Sequence, residues 1–204
     1  MLNDLARHRL VPVIMLDDPD VAGPLGDALV EGGLPVAEVT LRTDNAIEAT
    51  RRLAARGDLL VGAGTVMDAR QVAAVADAGA RFVVSPGLYP DVLDACAERG
   101  LPYLPGVATA TEIGMAVKRG LSLLKFFPAG TLGGPAALGA LAGVFPTTRF
   151  MPTGGVTAEN ARDYLAHPQV ACCGGSWLVR RDRVDAGDWE TIRATVADAV
   201  ASVG

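Results

Sequence analysis

Lysine is nearly absent from this chain. Lys118 and Lys125 stand against sixteen arginines, so each lysine marks a place where arginine was not used. Histidine is equally scarce. His8 precedes the first apolar run and His167 sits just before Pro168, while Cys96, Cys172 and Cys173 lack ligand spacing, so nothing calls for a zinc site. Three cysteines cannot all pair, and adjacent ones bridge only under strain, which excludes a disulfide framework and leaves packing thiols. No apolar run approaches the roughly 20 residues of a membrane span. The opening MLNDLARHRL also lacks the basic start, apolar core and cleavage site of a signal peptide. A soluble cytoplasmic protein without a membrane partner is expected. The formal net charge is -5, and Arg51-Arg52 and Arg180-Arg181 are too short to make a basic face. A nucleic-acid partner is therefore not expected, and the two pairs read as solvated surface. Prolines and glycines are spread along the chain, so no linker divides it and one domain spanning residues 1–204 is expected.

Half of the residues are hydrophobic and only 5% are aromatic, which points to a core of Val, Leu and Ala, the composition of parallel strands covered by helices. Short β-rich runs recur about every 20 to 25 residues: 11–16, 36–41, 59–65, 81–87, 101–107, 123–129, 149–155 and 170–176. Helix punctuation lies between them. Thr109 and Glu112 form a possible capping box, Pro135 suits a first helical position, and Gly57, Gly79, Gly100 and Gly120 suit helix ends. Trp189, Ile192, Val196 and Val200 recur at helical spacing. Eight strand–helix units without a reversal signal predict a (β/α)8 TIM barrel with a short N-terminal helix, an open doubly wound sheet being the alternative.

In such a fold chemistry gathers at the C-terminal ends of the strands. Polar and special residues do cluster late in the runs. The run LLKFFPAG, Leu123 to Gly130, raises the sharpest question. Alternation puts Lys125 on the face opposite Leu124 and Phe126, pointing inward if those two pack under helices. Arginine cannot surrender its proton in a protein and lysine can, so keeping lysine here suggests that a neutral, nucleophilic amine is wanted. With a keto substrate such an amine forms a Schiff base. A structural ion pair of Lys125 with Glu38 is the competing reading. In EVTLRT, Glu38, Thr40 and Arg42 share one strand face. Glu38 could transfer protons and Arg42 could grip a carboxylate, or the two could simply pair. Thr153, Gly154 and Gly155 end the seventh run, and Gly174, Gly175 and Ser176 end the eighth, the places where barrels often bind phosphate. VGAGTV lacks the third glycine of a dinucleotide fingerprint. The lysine chemistry requires neither cofactor nor metal.

Taken in order, EVTLRT, VGAGTV, VVSPG, LPGVATATE, LKFFPAG, PTGGV and GGSWLV resemble the class I 2-keto-3-deoxy-6-phosphogluconate (KDPG) aldolases of the KDPG/KHG aldolase family, from about Val11 to Gly204. The resemblance implies a (β/α)8 barrel and usually a homotrimer. It also implies cleavage of a phosphorylated keto acid to pyruvate and glyceraldehyde 3-phosphate in the Entner–Doudoroff pathway. Matched motif by motif, Lys125 is the Schiff-base lysine and Glu38 the general acid/base. Arg42 and Thr65 hold the pyruvate carboxylate, Pro86 and Phe127 line the pocket, and Thr153, Gly154, Gly155 and Ser176 serve the distal hydroxyls and phosphate. Gly130 stands where many gluconate-type members have glutamate, a feature shared with galactonate-type relatives, whereas Thr153 resembles the gluconate type. The gluconate epimer is expected, with 4-hydroxy-2-oxoglutarate as a minor substrate. A galactonate aldolase, a phosphosugar isomerase or epimerase using Glu38 as base, and a non-catalytic phosphate-binding barrel are the rivals.

Overall fold

A computed structural model describes residues 2–204. Helix α1 (Leu2–His8) leads into strand β1 (Leu10–Ile14), and a 3-10 turn (Pro19–Val21) enters helix α2 (Ala22–Glu31). The chain then alternates through β2 (Val36–Thr40), α3 (Ala46–Ala55), β3 (Leu60–Gly64), α4 (Ala69–Asp77), β4 (Val83–Val84) and α5 (Pro90–Glu98). The fifth run holds two short pieces, β5 (Tyr103–Leu104) and β6 (Gly106–Val107), followed by α6 (Ala110–Lys118). The remainder is β7 (Leu123–Phe126), α7 (Gly134–Ala142), β8 (Arg149–Pro152), α8 (Ala161–Leu165), β9 (Cys173–Gly175), α9 (Arg181–Asp185) and α10 (Trp189–Val203).

Every strand pair is parallel, as alternating units require. The regular ladders fall into a six-stranded sheet, β5-β4-β3-β2-β1-β9, and a three-stranded sheet, β6-β7-β8, rather than the one continuous eight-stranded ladder expected from the sequence. Pro105 separates β5 from β6. It brings no N–H, although its carbonyl accepts from the Lys125 amide at 2.9 Å. Between β8 and β9 only the single bridges Phe150↔Val170 and Thr153↔Gly174 form.

β2 and β7 are buried along their whole length, as strands covered on both faces must be. The capping box is present: the Thr109 side chain accepts from the Glu112 amide and Glu112 reaches back to the Thr109 amide. Pro135 is the second residue of α7, behind Gly134 and one place later than expected, and Gly57, Gly79, Gly100 and Gly120 all have positive φ after their helices. On α10, Ile192 and Val196 are buried while Trp189 and Val200 pack against the core. Cys96, Cys172 and Cys173 are free and buried, and burial pushes the Cys96 and Cys173 thiols up to about 12. They pack as small apolar side chains. No helix among the described residues is long and apolar enough to cross a membrane.

Candidate active site

Lys125 is the third residue of β7. Leu124 and Phe126 are fully enclosed in the core, so alternation turns the lysine to the opposite face. There it is buried, 5% exposed, with Nζ 3.4 Å from Glu38 Oε1 and 5.1 Å from the centre of the Phe127 ring. Glu38 sits mid-strand in β2 with no exposed surface. Its Oε2 has no hydrogen-bond partner among the described residues. A carboxylate with one oxygen on an amine and the other uncommitted can pass a proton and still hold its place. As mere stabilisation the pair is weak evidence, because desolvation offsets most of the attraction between two buried charges.

Glu38 keeps this position because Gly64, across the β2–β3 ladder, has no side chain. A Cβ on Gly64 would fall 2.2 Å from Glu38 Oε1 and 2.8 Å from its Cγ. The carboxylate is enclosed and cannot swing into solvent to relieve that contact. Gly64→Ala is therefore expected to displace Glu38 and lower kcat by about 10²-fold, since a shift of about 1 Å in a reacting group costs that much. Steady-state kinetics alongside a thermal unfolding midpoint would check this, a folded variant with unchanged kcat being the contrary result.

Arg42 lies two residues past β2, exposed at the cavity mouth and without a carboxylate partner among the described residues. Thr40, on the same strand face, is committed elsewhere, its hydroxyl donating to the Ile14 carbonyl at 2.9 Å. Thr65, the first residue past β3, has φ 59°. A β-branched residue rarely enters the left-handed region, at a cost of about 1–3 kcal/mol, and such outliers gather at functional sites. Buried Ser85 steadies the following turn by donating to the Val66 carbonyl. Gly154 and Gly155 follow β8 with φ 86° and 78°, so no side chain stands between that backbone and the space in front of it. Gly154 also packs against Phe127, where a Cβ would lie 3.1 Å from the ring. Thr153 is buried, its hydroxyl 3.4 Å from the Met151 carbonyl and facing Gly174, whose missing Cβ would stand 2.3 Å from it.

These side chains surround one cavity of about 420 Å³, within the range of small-molecule sites. Arg42, Thr65, Pro86, Lys125, Phe127, Thr153, Gly154, Gly155 and Ser176, all expected from the sequence, line it together. Glu38, the tenth, lies behind Lys125. Val13 and Val156 also line the cavity and were not expected, because nothing in an apolar residue's spacing distinguishes a cavity wall from a core. The cavity adjoins a second space that shares Arg42 and Ser176 and reaches Arg180 and Arg181. Both of those arginines pair with aspartates, Arg180 with Asp182 and Arg181 with Asp17 and Asp185, as solvated surface residues do. No cluster of three or more His, Cys, Asp or Glu side chains able to hold a metal ion is present among the described residues.

Fold and site together define a parallel α/β protein that seats one lysine against a buried carboxylate on the wall of a small-molecule cavity. Residues 1–195 match the family model described as KDPG and KHG aldolase, and the chain belongs to that aldolase family. The 2-dehydro-3-deoxy-phosphogluconate aldolase of Dickeya dadantii is 47% identical over 198 residues, covering 97% of this chain and 93% of the relative. The KHG/KDPG aldolase of Escherichia coli K12 is 46% identical over 197 residues, covering 96% and 92%. Among solved structures, the KDPG aldolase of Legionella pneumophila, with pyruvate captured at low pH as a covalent carbinolamine intermediate, superposes with a TM-score of 0.94. It is 39% identical, and the match covers 98% of both chains.

Proposed function

We propose that this chain is a class I aldolase that reversibly cleaves 2-keto-3-deoxy-6-phosphogluconate to pyruvate and D-glyceraldehyde 3-phosphate, a step of the Entner–Doudoroff pathway. The observation that carries the reading is the Lys125–Glu38 contact of 3.4 Å beside a cavity that also holds Arg42, which has no carboxylate partner among the described residues. Lys125 Nζ, as the free amine, attacks the C2 carbonyl carbon, and the carbinolamine takes up one proton from solvent and loses water to give a protonated imine; that proton is released when the imine is hydrolysed. Glu38, directly or through one water, takes the C4 hydroxyl proton. The C3–C4 bond then breaks, its electron pair passes toward the imine to form an enamine, and the aldehyde leaves. Protonated Glu38 returns a proton to C3, and hydrolysis of the imine frees the amine and pyruvate.

Arg42, with a planar fork suited to a carboxylate, and Thr65 hold the pyruvate end, while Pro86 and Phe127 wall the pocket. Gly154, Gly155 and Ser176 take the phosphate through close backbone approach and one hydroxyl. Thr153 has only a long internal contact, which leaves its hydroxyl for the C4 and C5 oxygens of the substrate. A site built around such a hydroxyl discriminates between epimers, and this favours the gluconate configuration over the galactonate one. 4-Hydroxy-2-oxoglutarate needs only the keto-acid half of the site and is a minor substrate.

Residues 1–204 form one domain whose strands close into an eight-stranded barrel. The two bridges between β8 and β9 and the nearness of β5 to β6 across Pro105 support closure. A cytoplasmic homotrimer follows from the family resemblance. The test is pyruvate release in a coupled assay on both epimers, with and without EDTA. Release from the gluconate compound with higher kcat/KM than from its epimer, unchanged by the chelator, is expected. Isomerisation without pyruvate would overturn the reading.

A further inference from the structure

Eleven of the sixteen arginines form ion pairs with carboxylates among the described residues. Of the five that do not, Arg42 lines the catalytic cavity, and Arg9 and Arg149 meet in a different one. That second cavity, of about 300 Å³, is lined by Arg7, Arg9, Arg149 and His167 among smaller apolar residues, with no aspartate or glutamate. Arg9 precedes β1, Arg149 opens β8, and Val170 and Ala171 lead toward β9. The cavity thus lies at the N-terminal ends of the strands, opposite the catalytic one, with which it shares no lining residue. Arg7 has a nearby Asp4 at 3.6 Å, an exposed contact too weak to commit its guanidinium.

The backbone supplies an independent observation. Only Arg9 and Thr65 among the described non-glycine residues have positive φ, and Arg9 stands at 59° directly after α1. Helices α2 to α6 are each followed within two residues by a left-handed glycine: Gly33, Gly57, Gly79, Gly100 and Gly120. At the end of α1, beside this cavity, arginine takes that position, although a side chain there is disfavoured. A turn alone would be better served by glycine, so the guanidinium accounts for the choice.

We propose that this basal cavity is a second anion site, for a small polyanion of the phosphate-ester or diphosphate class. Guanidinium forks match phosphate oxygens, and in a chain of net charge -5 three of them around one concavity concentrate anions locally. The inference does not depend on the aldolase chemistry. Its test is calorimetric titration of inorganic pyrophosphate into the full chain and into the Arg9→Gly, Arg149→Gln and Arg42→Ala variants at about 0.15 M salt. Binding to the parent at or below about 1 mM is expected, weakened at least about tenfold in Arg9→Gly and Arg149→Gln and retained in part in Arg42→Ala. Arg9→Gly should fold at least as well as the parent, because glycine tolerates the left-handed region, and both basal variants should cleave substrate normally. No binding to the parent, or binding unaffected by both basal substitutions and lost with Arg42→Ala, would overturn the proposal. So would a change of sedimenting mass in Arg149→Gln without pyrophosphate binding to the parent, which would make this face a contact between copies of the chain.

Discussion

Lys125→Arg loses turnover by about four orders of magnitude or more, the scale seen when a covalent nucleophile is removed. The substitution keeps a cation within reach of Glu38 and above the Phe127 ring, so the electrostatic role that a structural reading would assign to Lys125 survives. What is lost is an amine able to shed its proton and attack a carbonyl. A thermal midpoint near that of the parent, with pyruvate release at background, separates the two roles. Normal release by Lys125→Arg would return the residue to structure.

Glu38→Gln preserves shape and one contact to Lys125 while removing the proton acceptor. A kcat lower by about 10²- to 10⁴-fold is expected, the usual contribution of a positioned acid/base. Imine formation does not depend on Glu38 to the same degree, so pyruvate should still be captured by borohydride, more slowly. The variant also leaves a buried ammonium facing a neutral amide. Breaking a buried pair typically costs about 3–5 kcal/mol, and the retained hydrogen bond reduces that here, so the unfolding midpoint falls without loss of the fold. Unchanged kcat with a lowered midpoint would make Glu38 a structural partner only.

Much of this arrangement was legible in the residue order because local rules and the fold agree. In LLKFFP the alternation that buries Leu124 and Phe126 also turns Lys125 into the cavity, and Thr109 with Glu112 caps α6 as their spacing suggests. The meeting of Glu38 and Lys125, 87 residues apart, follows from the placing of whole strands and was not legible from local spacing. It was suggested by the chemistry of the two side chains and by the family resemblance. Pro105 as the break between two ladders was illegible, because a single proline inside an apolar run does not say which neighbour its strand will pair with. The space that Gly64 leaves for Glu38 was hidden for a similar reason. Glycines in VGAGTV can serve a turn, a ligand or a neighbour's side chain, and only the register of β2 on β3 selects the last. The strained Thr65 and the left-handed Arg9 carry no local sequence signal, since neither residue type favours positive φ.

The most direct measurement is peptide mass spectrometry of the protein after incubation with pyruvate and borohydride. One reduced adduct is expected, on the peptide carrying Lys125, absent from the Lys118 peptide, from controls without pyruvate and from Lys125→Arg. Folded protein that binds pyruvate yet forms no adduct, or forms it at Lys118, would contradict the Schiff-base role of Lys125.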